Sequence, residues 1–176
     1  EHCSYFSKGS LARLFRKSSF DVLSLSTEYD DQYLTIEAKP SNGMNDKTLS
    51  EENDLEELRS LVQHFIKHYP ERLQVWSDML KRIVDGRNKA VIWGAGSKGV
   101  AFLTKLNVTT DIMPYAVDIN PYKRGTFMAG TGQEIVAPDF LQTYTPNLVI
   151  AMNPIYKNEI QNDLNTLGVR TELVTM

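Results

Sequence analysis

A chain of 176 residues, 41% of them hydrophobic, can bury one good core plus an appendage, since a typical domain takes about 100 to 150 residues. A formal net charge of −3, a pI near 5.6 and the lack of any basic tract exclude a protein that tracks a phosphate backbone, so nucleic acid is not an expected partner. The apolar runs fall far short of a membrane span, and the single cysteine, Cys3, rules out an internal disulfide and fits a cytoplasmic setting.

In chain order, residues 1–6 (EHCSYF) are dense in functional groups. The chain starts at Glu1 and not at a methionine, which reads as a fragment of a longer protein. Ser7 and Ser10 are helix caps, and the spacing predicts a helix to Lys17 with Leu11, Leu14 and Phe15 on one face. Residues 20–25 and 33–38 alternate apolar and polar around an acidic turn at 28–31, the pattern of an antiparallel hairpin. Helix and hairpin (1–38) look like the tail end of a larger domain. Residues 39–50 (KPSNGMNDKTLS) have linker composition and open a connecting segment that runs to 87.

That segment is mostly one long helix beginning near Asn53, acidic at its start (Asp54, Glu56, Glu57) and basic at its end (Lys81, Arg82, Arg87). Leu55, Leu58, Val62, Phe65, Tyr69, Leu73, Trp76, Leu80 and Ile83 recur in steps of three and four, with the phase kept through Pro70. This predicts a single kinked helix packed along its length as core or strut. His64 and His68 lie four apart but off the stripe. Two ligands are too few for zinc, and no metal is expected.

Residues 88–176 predict a Rossmann-like α/β domain with a parallel sheet and flanking helices. Residues 89–93 form a buried strand, Gly94 to Gly99 (GAGSKG) a glycine-rich turn, and 100–106 a helix. Gly94 permits the tight turn, Gly96 lets backbone approach a phosphate, and Gly99 lets helix pack on strand, while the helix N-terminus offers N–H groups to an anion. Residues 115–118 make a second strand ending on Asp118, an acid able to hold ribose hydroxyls. A long loop follows (119–132), then residues 134–136 leading to a short helix from Pro138, a strand at 147–152, a helix at 156–167 closed by Gly168, and a last strand at 169–174. The strand ends carry Gly94, Gly96, Ser97, Lys98 and Gly99, then Asp118 and Asn120, then Asn153, Tyr156 and Lys157. These converge on one crevice, where Lys98, Lys123, Arg124 and Lys157 are expected to add positive charge for a diphosphate. The domain offers one mononucleotide-binding half.

Four blocks, EHCSYFS, VIWGAGSKGVAFL, VDINPYKRGTFMAGTGQEIVAP and MNPIY, resemble the C-terminal portion of the sugar C-methyltransferases, over essentially the whole chain. That family methylates a ring carbon of nucleotide-linked keto-deoxysugars with S-adenosylmethionine. The resemblance implies a nucleotide-diphosphate sugar as ligand, and N-terminal zinc and methyl-donor domains of the same protein as partners. It also implies S-adenosylmethionine as a cofactor held by the missing domain and not by this chain. By the same resemblance Glu1 and His2 belong to a reaction centre. His2 would be the base that takes a proton next to the keto group, which suits an imidazole oriented by a carboxylate. The chain lacks the zinc cysteines and an acidic S-adenosylmethionine-type glycine loop, so by itself it is expected to be inactive. A dinucleotide-binding module of NAD type and a purely structural domain are the other readings of the same glycine turn.

Overall fold

The computed structural model describes residues 4–43 and 47–176, and they form two compact units, Glu1–Tyr69 and Pro70–Met176. In the first, Ser7 caps helix α1 (Lys8–Lys17): its hydroxyl accepts from the Ser10 N–H at 3.2 Å, while its own N–H donates to the Ser10 hydroxyl at 2.8 Å. The face that α1 buries differs from expectation. Phe15 packs against the small core as expected, but Gly9 and Ala12 are inside and Leu14 is exposed, because the backbone of α1 itself comes close to the segment before the long helix. The Gly9 N–H donates to Asp54 Oδ2 at 2.8 Å, and a Cβ on Gly9 would stand 2.5 Å from the Glu52 carbonyl oxygen. Arg16 and the buried Glu52 form an ion pair, and Glu52 also accepts from the Leu49 N–H.

Strands β1 (Phe20–Glu28) and β2 (Tyr33–Pro40) make the expected antiparallel hairpin. A register shift between Val22 and Ser24 breaks strict alternation, so that Val22 and Leu25, three apart, both reach the small core with Ala12. Leu23 is turned outward.

Helix α2 (Leu55–Asp85) contains Pro70, as the unbroken phase predicts. Its apolar stripe is buried over only part of its length. Trp76, Leu80 and Ile83 lie in the core of the second unit, whereas Leu55, Val62 and Phe65, with Leu61 and Ile66 beside them, are more than half exposed. The His64 and His68 rings lie 4.2 Å apart. No cluster of three or more His, Cys, Asp or Glu placed for a metal occurs among the described residues. No described helix is long and apolar enough to cross a membrane.

The second unit is built on a five-stranded parallel sheet: β3 (Ala90–Trp93), β4 (Tyr115–Val117), β5 (Glu134–Val136), β6 (Leu148–Ala151) and β7 (Glu172–Thr175), in spatial order β5-β4-β3-β6-β7. The central strands read as continuous apolar runs because both faces are covered. Ala90, Ile92, Leu148 and Ile150 face Trp76, Leu80 and Ile83 of α2 together with Phe102 and Leu103 of α3 (Ser97–Lys105). Val91, Trp93, Val149 and Ala151 face Leu141 of α4 (Leu141–Tyr144) and Ile160 and Leu164 of α5 (Lys157–Thr166). Burying each large side chain of this kind stabilises by roughly 1.5 to 3 kcal/mol, so the two layers fix the sheet whose carboxyl edge carries the loops. Residues 134–136 form the edge strand β5, and the sheet continues past β3 on the opposite side through β6 and β7. It is therefore more than the single mononucleotide half expected, and the chain order reverses between β3 and β6.

Candidate functional site

At the carboxyl edge, where β3 and β6 part, a cavity of about 380 Å³ opens. In an open parallel sheet the point of order reversal is where loops diverge and a ligand fits, and the volume lies in the range of small-molecule sites. Three loops and one helix contribute. From β3 come Trp93, Gly94, Gly96, Ser97 and Lys98; from β4, Asp118 and Ile119; from β6, Met152, Asn153 and Tyr156; and from α5, Glu159 and Asp163 beside Ile160.

The glycine turn is shaped as the motif requires. Gly94 has φ +118, a conformation L side chains rarely adopt, and its N–H is tied to the Val117 carbonyl at 2.8 Å. Gly99 is buried where a Cβ would meet the Gly94 carbonyl oxygen at 2.5 Å and Ile92 Cδ1 at 3.0 Å, so it serves the packing of α3 on β3. Gly96 caps α3 in extended backbone, and a Cβ there would meet nothing within 4 Å. The start of α3, at Gly96, Ser97 and Lys98, thus lines the cavity.

Asp118 is the best-anchored polar group of the site. Its Oδ2 accepts from the Ala95 N–H at 3.0 Å and the Lys123 ammonium at 2.9 Å, and its Oδ1 from the Asn120 N–H at 2.9 Å. Burial works to raise the Asp118 pKa, but the Asn120 N–H, the Lys123 ammonium and the Ala95 N–H together hold it below the ordinary carboxylate value. Lys123 also donates to the Ala95 carbonyl at 3.0 Å. The pair ties the loop after β4 to the glycine turn.

Asn120 and Asn153 are each followed by proline, and each side-chain oxygen accepts from the N–H two residues on, Tyr122 at 3.0 Å and Ile155 at 3.5 Å. Both shape short 3-10 turns (Pro121–Lys123 and Pro154–Tyr156) at strand ends.

Of the residues singled out in the sequence, Gly94, Gly96, Ser97, Lys98, Asp118, Asn153 and Tyr156 come together around the cavity. Gly99 packs behind it, Asn120 caps its own turn, and Lys157 begins α5 on the exposed surface outside the lining. Glu1 and His2 lie outside the described residues. The expected ring of positive charge is not what forms. Lys123 is engaged with Asp118, Arg124 and Lys157 do not line the cavity, and Glu159 and Asp163 bring two carboxylates that the sequence reading missed. Their signal was present: they precede Ile160 and Leu164, the two core residues of α5, by one position each.

A family model described as the C-methyltransferase C-terminal domain matches residues 35–174. No curated protein matches the chain. Among solved structures, the chain is similar to the crystal structure of RSP, a Rex-family repressor, at 16% identity and TM-score 0.39, covering 51% of this chain and 52% of that one. It is also similar to UDP-D-quinovosamine 4-dehydrogenase from Vibrio fischeri, at 23% identity and TM-score 0.37, covering 49% and 76%. The chain thus spans about half the length of the repressor it matches, a likeness too partial to inform function.

Proposed function

The chain belongs to the C-methyltransferase C-terminal domain family, and from that premise we propose that it is the substrate-holding part of an S-adenosylmethionine-dependent C-methyltransferase acting on a nucleotide-linked keto-deoxysugar. The observation that carries this reading is the cavity at the order reversal, walled on one side by Ser97 and Lys98 at the start of α3 and on the other by α5. The N-terminal end of α3, with its Gly96 cap and the positive end of the helix dipole, favours a diphosphate on the α3 side. Methyl transfer itself is assigned to the rest of the protein, with Glu1 and His2 as its reaction-centre contribution from this chain.

The residues present do not fit the methyl donor. Trp93 stands where an acid would precede the glycine turn, and Asp118, the acid at the end of β4, is occupied by Ala95, Asn120 and Lys123. On this reading the chain binds nucleotide diphosphates weakly and S-adenosylmethionine not at all.

Gly96→Val is the test. The open space around Gly96 leaves the fold untouched, while a side chain there blocks backbone approach to a phosphate. In an NMR titration, deoxythymidine or uridine diphosphate should shift the amides of residues 94–99 in the wild type and not in the variant. Shifts with NAD and none with these diphosphates would transfer the site to a dinucleotide, and no shift with any nucleotide would leave a structural domain.

A further inference from the structure

The α5 wall of the cavity calls for a different ligand chemistry from the α3 wall. Glu159 and Asp163 lie one helical turn apart, a like-charge spacing that disfavours a helix. Neither carboxylate has a hydrogen-bond or ion-pair partner among the described residues. Asp118 shares the cavity, but its oxygens already serve Ala95, Asn120 and Lys123. A diphosphate against α5 would face two uncompensated negative charges. A neutral ring bearing hydroxyls would instead find two strong acceptors. Beside them, Ile119 and Tyr156 offer exposed apolar surface, which suits the C–H faces of such a ring.

We infer that Glu159 and Asp163 hold the hydroxylated ring of the ligand, ribose or hexose, by accepting its O–H groups, while the diphosphate lies toward Ser97 and Lys98. This rests on the nucleotide-sugar reading and goes beyond it by dividing the cavity into an anion side and a sugar side. It also gives the hydroxyl-holding task to α5 and leaves Asp118 as the brace of its loop.

The test is calorimetry on the 176-residue chain and on its Glu159→Gln/Asp163→Asn variant, with uridine diphosphate glucose, uridine diphosphate, 2′-deoxyuridine diphosphate and pyrophosphate. Both substitutions are isosteric and remove repulsion within α5, and tryptophan fluorescence checks that the unit stays folded. The variant should lose about tenfold in affinity for the ligand whose hydroxyls the carboxylates hold, in line with the loss of charge-assisted hydrogen bonds, and none for pyrophosphate. A loss confined to the glucose conjugate assigns the wall to the hexose. A loss for uridine diphosphate but not for its 2′-deoxy form assigns it to the ribose. Unchanged or tighter binding of all ligands by the variant would overturn the inference and leave the nucleotide-sugar reading standing. Failure of the wild type to bind any of them would remove both.

Discussion

Replacing Asp118 by Asn tests whether the site is braced as described. The change keeps the shape and removes the charge that three donors converge on: two backbone N–H groups at 3.0 and 2.9 Å and the Lys123 ammonium at 2.9 Å. A carboxamide presents one oxygen and one NH₂, so at least one donor loses its acceptor. Hydrogen bonds to a charged group contribute about 1.5 to 3 kcal/mol each against about 1 for neutral ones. The ion pair adds under about 1 kcal/mol, because the Lys123 side chain is 38% exposed and screened. Together these give a loss of about 2 to 3 kcal/mol, or roughly 10 to 20 °C in Tm for a unit of this size.

Both tryptophans, Trp76 and Trp93, are buried in the second unit, so their fluorescence reports that unit alone. The pH dependence supplies a second reading. The folded-state pKa of Asp118 is depressed below its ordinary value of 3.8. Its stabilisation is therefore fully present above that value and lost as pH falls through the folded pKa. The gap between wild type and variant should be constant near neutrality and close on acidification below about pH 4. A loss under about 0.5 kcal/mol, the size of an ordinary surface substitution, or a gap that persists in acid, would refute the brace.

Gly99→Ala should destabilise the same unit by about 1 to 3 kcal/mol, the range for overpacking, because the new methyl meets a backbone oxygen at 2.5 Å that cannot rotate away; an unchanged melting curve would refute this. In the first unit, Glu52→Gln leaves Arg16 without its buried counter-charge. Amide exchange across Phe20–Glu28 should accelerate about tenfold or more, since losing such a partner costs over about 1 kcal/mol, and unaltered protection would count against the contact. S-adenosylmethionine should give no heat with this chain. A micromolar Kd, about 8 kcal/mol, would mean that the methyl donor belongs here.

The sheet and the glycine turn were legible because their signals are local. An apolar run followed by glycines needs both buried faces and a tight turn, and Gly94 and Gly99 answer those needs one by one. The hairpin and the Ser7 cap were legible for the same reason. The extent of burial along α2 was not. Helical periodicity shows which face is apolar, but what covers each turn is decided by distant residues, here Phe102 against Trp76 at 5.2 Å. The electrostatics of the cavity escaped in the same way. Lys123 looked available in the sequence, and only the fold brings Ala95 and Asp118 to it. Glu159 and Asp163 drew no notice in the sequence, and it is the packing of Ile160 and Leu164 of α5 on the β6 face that brings them to the cavity.

The parallel pairing of β3 with β6 also sets an order of assembly. The β1–β2 hairpin closes over a short turn and can zip within microseconds. The Lys89 N–H, by contrast, meets the Asn147 side chain across 58 residues, and the ladder from Ala90↔Leu148 to Trp93↔Ala151 begins there. Long loops must close before that ladder returns any free energy, which slows the step. During synthesis the glycine turn emerges well before β6 and the helix α5 that forms its opposite wall, and the ligand cavity is among the last features of the chain to exist.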